Sequence, residues 1–440
     1  MPGPPARQPR WGGVPRGLPR GISESSRRGW DPAASAKKLV RILAIAVVVA
    51  AGRPAAAYSV LAHEANIDAL WDSAIRPLLL RRFPATTREQ MLDARAYAYG
   101  GSVIQDLGYY PFGSRFFSNL LHYVRSGDFV ETMLRDAKNV DEYAFALGAM
   151  AHYAADNTGH PEAVNRSVAL MYPKLRAKYG DSITYAQARA QHVIVELSFD
   201  IVQVAAGAYV PDSYHRFIGF QVAKPVLERA FHDTYGLELP DVFADEDLAI
   251  GTYRRAVSEI LPELTRAAWR DKKDEIARLV PGVTEERFVY RYTRQQFEKD
   301  FGANYRKPGL FARFLGFIYR VLPKIGPLQP LSFKAPTPEA EKLFTESLAD
   351  TRARYAAALN AAAAGRLNLA NTDFDTGRPS AQGEYPLADK TYAQLLDKLK
   401  DRKFESVPAA LRANIKSFYS RGTPPKNVQR HLAALSSAGH

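Results

Sequence analysis

The segment AHYAADNTGHPEAVN, residues 151–165, carries His152, Asp156 and His160 at intervals of four residues within an Ala-rich helical pattern. Residues four apart lie on the same face of an α-helix, so His152 and Asp156 can bind one metal ion together. A glycine and a proline flank His160, which predicts that the helix ends there. His160 is then free to reach a neighbouring metal ion. The segment therefore predicts a helix that binds metal.

The composition limits the kind of metal site and excludes several classes of enzyme. The chain has 440 residues, 46% of them hydrophobic, so it can bury a substantial core. It has no cysteine, which excludes disulfides, thiolate zinc sites and thiol nucleophiles. A metal must be held by histidine and carboxylate side chains, which suits zinc.

The first 57 residues have the pattern of an export signal. A Pro-, Gly- and Arg-rich arm precedes KKLVR, a short apolar run and the small-residue site AAA that ends at Ala57. This order is typical of a secretory signal peptide, and we expect cleavage after Ala57. Export predicts a secreted or periplasmic protein. A single anchoring helix is the alternative interpretation, although the run is short for a bilayer.

The remaining sequence predicts an all-α protein. Apolar residues recur at helical spacing from residue 58 to about 235, and no window alternates for long at period two. A Thr cap at Thr86 with Glu89 predicts one helix start. Residues 236–440 predict a helical C-terminal region with a polar loop near 366–390 and two short terminal helices, giving three regions: 1–57, 58–235 and 236–440.

Further potential ligands lie elsewhere in the predicted helices. His192 and Glu196 are four residues apart in the otherwise apolar stretch QHVIVELSFD, so both need a polar partner inside the fold. Asp106 ends a helix before a Gly/Pro turn, His122 lies in an apolar helix, and His63 follows the predicted cleavage point by a few residues. Each alone has a simpler interpretation, because a histidine on an apolar helix is commonly a hydrogen-bonded core residue and an i, i+4 pair is commonly a helix-face contact.

Taken together, these residues give the chain a resemblance to the zinc-dependent phospholipase C and S1/P1 nuclease superfamily. Members are secreted, mostly helical and bind three zinc ions, which implies the same all-α fold here, with a helical C-terminal extension. The family order of ligands is matched, in residues 58–200, by Tyr58, His63, Asp106, His122, His152, Asp156, His160, His192 and Glu196.

The resemblance implies a role for each residue. One zinc would be held by Asp106, His122, His152 and Asp156. The second would be held by the shared Asp156, by His63 and by the amine and carbonyl of Tyr58, where the family usually has Trp. The third would be held by His160, His192 and Glu196. Asp106 would also orient or deprotonate the attacking water.

The substrate is a separate question, with three hypotheses. The first is a phospholipase C-like enzyme that cleaves a phospholipid phosphodiester, and the apolar and basic segment 309–331 is a candidate for membrane contact. The second is a single-strand nuclease or 3'-nucleotidase, favoured by the spacing from Tyr58 to His63, although the nearly balanced charge after residue 57 argues against strong polyanion binding. The third is a zinc-binding helical protein without catalysis.

Overall fold

The computed structural model describes residues 59–438, apart from residue 111, residues 207–219 and most of 261–333. Tyr58, the predicted signal region and the 309–331 segment lie outside the described residues. None of the described helices combines the length and the apolar character needed to cross a membrane. The regular secondary structure of the described residues is helical apart from two very short strands, which confirms the all-α prediction.

Sixteen α-helices are described, and we number them in chain order. The first eight are α1 (Val60–Leu70), α2 (Arg76–Arg82), α3 (Arg88–Ile104), α4 (Arg115–Tyr123), α5 (Ser126–Asp136), α6 (Val140–Gly159), α7 (Asn165–Met171) and α8 (Pro173–Tyr179). The others are α9 (Arg189–Ala206), α10 (Lys224–Tyr235), α11 (Leu239–Val242), α12 (Glu246–Arg255), α13 (Pro338–Ala363), α14 (Pro386–Asp401), α15 (Ala409–Phe418) and α16 (Lys426–Ser437). The strands are β1 (Thr372–Asp373) and β2 (Arg378–Pro379), which pair antiparallel with Thr372 opposite Pro379.

Three details differ from the sequence prediction. The cap of α3 is Thr87, whose side chain accepts from the Gln90 backbone N–H in a capping box, one residue after the predicted Thr86. The α-helix α6 ends at Gly159, as predicted, but the chain stays helical, because a π-helical turn at His160–Val164 carries it into α7. A third terminal helix, α16, follows the two that were predicted. Helix ends depend on local caps, which are the least certain part of a sequence pattern.

Close packing of α3 against α6 forms the centre of the fold. Gly101 and Gly148 lie where the two helices touch, and a Cβ at Gly148 would be 2.0 Å from the carbonyl oxygen of Ala98. A Cβ at Gly101 would be 1.8 Å from the carbonyl oxygen of Phe145. Only glycine permits this approach, which brings the face of α6 that carries His152 against the end of α3.

The C-terminal region packs on the same core as the N-terminal helices. Tyr355 of α13 is fully buried and its hydroxyl donates to the Leu147 carbonyl on α6. Phe344 of α13 stacks on Phe199 of α9 with ring centroids 4.4 Å apart. The β1–β2 hairpin follows α13 and lies against α4, so residues after 334 reach the centre of the molecule. The predicted boundary near residue 235 remains a prediction.

Candidate metal centre

The structure brings together eight of the nine predicted ligands, and the ninth, Tyr58, lies outside the described residues. None of the eight residues is exposed by more than 3%. They come from four α-helices and two short helical turns: His63 on α1, Asp106 in the 3₁₀ turn Gln105–Tyr109, His122 on α4, His152 and Asp156 on α6, His160 in the π-helical turn, and His192 and Glu196 on α9.

Asp156 is the hub of this arrangement. Its Oδ1 lies 3.5 Å from His63 Nε2. Its Oδ2 lies 3.2 Å from His152 Nε2, 3.3 Å from His122 Nε2 and 3.8 Å from His160 Nε2. Neither oxygen accepts a hydrogen bond in the described part of the chain, although both are buried. A buried carboxylate without hydrogen bonds is costly unless a cation compensates it.

Backbone carbonyls fix the orientation of two of these imidazoles. The Nδ1 of His122 lies 2.7 Å from the Ser118 carbonyl, and the Nδ1 of His152 lies 2.9 Å from the Ser102 carbonyl. A carbonyl can only accept, so both Nδ1 atoms carry the proton, and in the neutral rings Nε2 has the lone pair. When both rings are neutral, the Nε2 lone pairs of His122 and His152 face the Asp156 carboxylate. A metal ion between the lone pairs and the carboxylate would make this arrangement favourable.

His192 shows the same arrangement on α9. Its Nε2 lies 3.0 Å from the Ile183 carbonyl and 2.8 Å from Asn165 Oδ1, so Nε2 donates. Its Nδ1 then faces Glu196 Oε1 at 3.2 Å with a lone pair. Burial and the nearby His160 lower the pKa of His192 well below its usual value, so this imidazole is neutral. A neutral nitrogen and a carboxylate at this separation suit two ligands of one cation.

The pKa values show how strongly the groups interact in the absence of a cation. Burial raises the pKa of Asp156, but the imidazoles of His152 and His122 lower this pKa by more, so that it lies well below the usual value. Burial lowers the pKa of His122, but contacts with Asp106 and Asp156 raise it, to about 10. Burial and the neighbouring His152 lower the pKa of His63 to about 3. Without a metal ion, a proton on His122 supplies the positive charge beside Asp106 and Asp156 that a bound metal ion would otherwise supply.

The candidate ligands form three groups. Within each group, one donor atom from every residue lies within 4.8 Å of the donor atoms of the other residues. The groups are His63, His152 and Asp156; Asp106, His122 and His152; and His160, His192 and Glu196. Two ligands of a tetrahedral zinc ion are about 3.3–3.5 Å apart, given metal–ligand bonds of roughly 2.0–2.2 Å. The measured pairs at 3.2–3.5 Å fit that spacing. The residues therefore fit zinc.

These groups follow the ligand sets that the resemblance implies, with one difference. His152 lies close enough to join the His63 group as well as the Asp106 group. Its ring also stacks on His63 with centroids 4.3 Å apart. The first two groups are therefore adjacent: they share His152, and Asp156 Oδ2 of the first group lies 3.3 Å from His122 Nε2 of the second.

Sequence reasoning missed the residues that the C-terminal hairpin adds. Asp375 Oδ1 lies 3.4 Å from His160 Nε2, and the Phe374 ring lies 5.1 Å from that of His122. Asn165, at the end of the opening segment, contacts both His192 and Asp375. The motif TDFDTG carried the only signal, an Asp pair around a Phe in a polar loop. Its separation of 179 residues from Glu196 gave no reason to place it at the site.

Comparison with known families supports the same chemistry. Residues 70–244 match the family model described as zinc dependent phospholipase C. The match confirms, over these residues, the predicted resemblance to this family. The match begins after His63 and ends before α13, so it includes seven of the eight described ligands. No curated protein and no solved structure matches the chain significantly.

The match gives the coarse function. The matched family is described as zinc-dependent phospholipase C, which indicates a zinc-dependent hydrolase, and the three groups of histidine and carboxylate side chains agree with zinc dependence. The hairpin that carries Asp375 lies outside the matched residues and is a feature of this chain's C-terminal region.

Proposed function

We propose that the protein is a secreted, zinc-dependent hydrolase that cleaves the phosphodiester of phospholipid head groups. The observation that carries the proposal is the Asp156 hub, where one buried carboxylate faces four imidazoles at 3.2–3.8 Å. The family match supports phospholipid as the substrate class. The signal-like sequence that ends at Ala57 supports export.

The proposed reaction is hydrolysis of a phosphodiester by water. Bound zinc ions would supply Lewis acidity and lower the pKa of a water molecule towards ~7. Water adds to phosphorus, the bond to the diacylglycerol oxygen breaks, and the leaving oxygen takes a proton. The products are diacylglycerol and a phosphomonoester.

In this proposal Asp106 has two tasks, ligation and proton transfer. Its Oδ1 lies 3.4 Å from His122 Nε2 and accepts no hydrogen bond in the described residues. Burial raises the pKa of Asp106 above its usual value, and the nearby imidazoles act in the opposite direction. A carboxylate with a raised pKa and an unused oxygen can orient a water molecule and accept its proton.

The other ligands hold the reacting groups in place. The carbonyl contacts of His122 and His152 keep both rings fixed while charge develops at phosphorus. Aromatic side chains line the neighbouring space, since Tyr109 packs edge-on against His122 and Tyr185 packs edge-on against His192. A site enclosed in this way limits the access of bulk water.

The test is an assay of the purified, zinc-loaded protein with products identified by mass. Phosphatidylcholine vesicles should give diacylglycerol and phosphocholine. The Asp156→Asn variant should lose this activity, whereas Asp72→Asn, at an acid whose side chain is 83% exposed on the first helical segment, should keep it. Cleavage of single-stranded DNA without release of diacylglycerol would favour the nuclease hypothesis instead. Zinc binding without any hydrolysis would favour the non-catalytic one.

A further inference from the structure

The C-terminal hairpin places one more carboxylate at the third group of ligands. Asp375, between β1 and β2, is 2% exposed. Its Oδ1 lies 3.4 Å from His160 Nε2, and its Oδ2 accepts a hydrogen bond of 2.7 Å from the Tyr123 hydroxyl. Its backbone carbonyl accepts from Asn165 Nδ2 at 2.8 Å. Asn165 in turn contacts His192, so Asp375 is linked to both histidines of the group.

The hairpin is built to hold this carboxylate in position. Asp373 Oδ1 accepts the backbone N–H of Asp375 at 2.8 Å, and its Oδ2 accepts the Thr376 hydroxyl at 3.0 Å. Gly377 has φ +68°, a conformation that favours glycine, and closes the turn against α6. The Phe374 backbone N–H donates to the His122 carbonyl, which ties the hairpin to α4.

Charge is the reason for a carboxylate at this position. In the described part of the chain, no Lys or Arg forms an ion pair with Asp375, and His160 is its one ion-pair partner. A buried carboxylate without a basic side chain beside it is costly unless a cation compensates its charge. The third group has one acid, Glu196, so a divalent ion held there would keep an excess positive charge in a buried site. A second carboxylate beside His160 balances that charge.

We propose that Asp375 is a positioning residue of the third metal site: it orients His160 and adds the charge that makes this group bind a divalent cation tightly. This inference rests on the proposed function, because it takes the three groups to be zinc sites. It assigns a role to a residue beyond the matched family region, and it gives the C-terminal region a part in the metal centre. Carboxylates beside metal-ligating histidines typically change metal affinity by about 10–100-fold.

The test compares zinc binding by the full chain with that of single variants. Asp375→Asn keeps the shape and can still accept from Tyr123, but it removes the charge. Asp72→Asn is the control, since it makes the same change at an acid whose side chain is 83% exposed and which belongs to none of the three groups. Zinc content after dialysis and chelator competition measure the number and affinity of the ions, without any substrate.

We expect three zinc ions in the parent chain and in Asp72→Asn. In Asp375→Asn the ion of the third group should bind about 10–100-fold more weakly while the other two are unchanged. Asp375→Glu should recover part of the affinity, and Tyr123→Phe, which keeps the charge, should retain the third ion. The metal-free forms of the parent chain and Asp375→Asn should unfold at similar temperatures.

Two results would overturn the assignment. If Asp375→Asn binds three zinc ions with unchanged affinity, the carboxylate does not act on the site. If Asp72→Asn loses the third ion as well, the loss is not specific to the Asp375 carboxylate. A parent chain that binds no zinc would overturn the proposed function itself and this inference with it. A parent chain that binds three ions but cleaves no phosphodiester would overturn only the proposed function.

Discussion

Asp200 on α9 anchors the start of α1 by accepting two backbone hydrogen bonds from it. Its Oδ2 accepts the N–H of Leu61 at 2.9 Å, and its Oδ1 accepts the N–H of Ala62 at 3.2 Å. His63 is the next residue. The first N–H groups of a helix have no partner within the helix, so a carboxylate here satisfies two of them. The helix that carries His192 and Glu196 therefore also fixes the position of His63.

We expect Asp200→Asn to weaken both the fold and the His63 group. An amide has a single acceptor oxygen, so one of these two N–H groups loses its hydrogen bond to residue 200. This should lower the free energy of unfolding by about 1–3 kcal/mol. Thermal unfolding and zinc content measure the two effects. Asp72→Asn, at an exposed acid just after α1, should change neither. Unchanged zinc content in Asp200→Asn would show that α1 is held mainly by other contacts.

Gly148→Ala should damage the metal centre through the backbone. The added methyl would lie 2.0 Å from the Ala98 carbonyl, so α3 and α6 must move apart. Overpacking of this kind costs about 1–3 kcal/mol or more. The separation should also loosen the contact between His152 and the Ser102 carbonyl and weaken zinc binding. Gly422→Ala is the control, because its methyl would meet only the end of the Gln382 side chain. Equal stability of the two variants would contradict this account.

The central position of Asp156 predicts that Asp156→Ala and Glu196→Ala lose different numbers of zinc ions. Asp156→Ala should remove two zinc ions and nearly all activity, because its two oxygens face imidazoles of both adjacent groups. Glu196→Ala should remove one ion, since Glu196 belongs to one group. Elemental analysis of the folded variants measures the result. The roles are wrong if both variants keep the metal content of the parent chain.

Zinc binding should release protons, and His122 should be the main source. Burial lowers its pKa, but Asp106 and Asp156 raise it, to about 10, so the ring is protonated in the metal-free protein across pH 7–9. Because this folded-state pKa is above the usual ~6.5, the charge stabilises the metal-free fold fully below pH ~6.5. That stability is lost as the pH rises through about 10. Zinc affinity should therefore rise with pH by about tenfold per unit for each displaced proton.

Calorimetry in buffers of different ionisation enthalpy counts the released protons. His122→Gln should release about one proton fewer than the parent chain and bind less zinc. If the parent chain and His122→Gln release the same number of protons, the protons come from other groups, such as His152. Burial lowers the pKa of His152, but Asp156 and Asp106 raise it above the usual value.

Processing after Ala57 should be needed for the complete centre. The resemblance implies that the freed amine of Tyr58 binds the same ion as His63, and an amine must be unprotonated to do so. N-terminal sequencing of the exported protein should begin at Tyr58. A form with several extra residues before Tyr58 should bind one zinc ion fewer and be much less active. If that form binds as much zinc as the processed one, the amine is not a ligand.

The sequence by itself determined the fold class and named most of the candidate ligands. Helical spacing and the absence of period-two patterns predicted an all-α protein. The i, i+4 pairs His152–Asp156 and His192–Glu196 were readable because helix geometry alone places their members on one face. The family resemblance, confirmed over residues 70–244, supplied Asp106 and His122, which no local pattern connects to the others.

Only the tertiary structure decided how these residues meet and what completes them. The approach of α3 to α6 depends on Gly101 and Gly148, and its consequence is a contact between Ser102 and His152 across 50 residues. The roles of Asp200 and Asp375 depend on contacts over 139 and 215 residues, with Leu61 and His160 respectively. Helical periodicity reports only on neighbours within a few turns, so contacts at these separations leave no trace in it. They are set by the packing of one buried core, to which the first helix and the C-terminal hairpin both contribute.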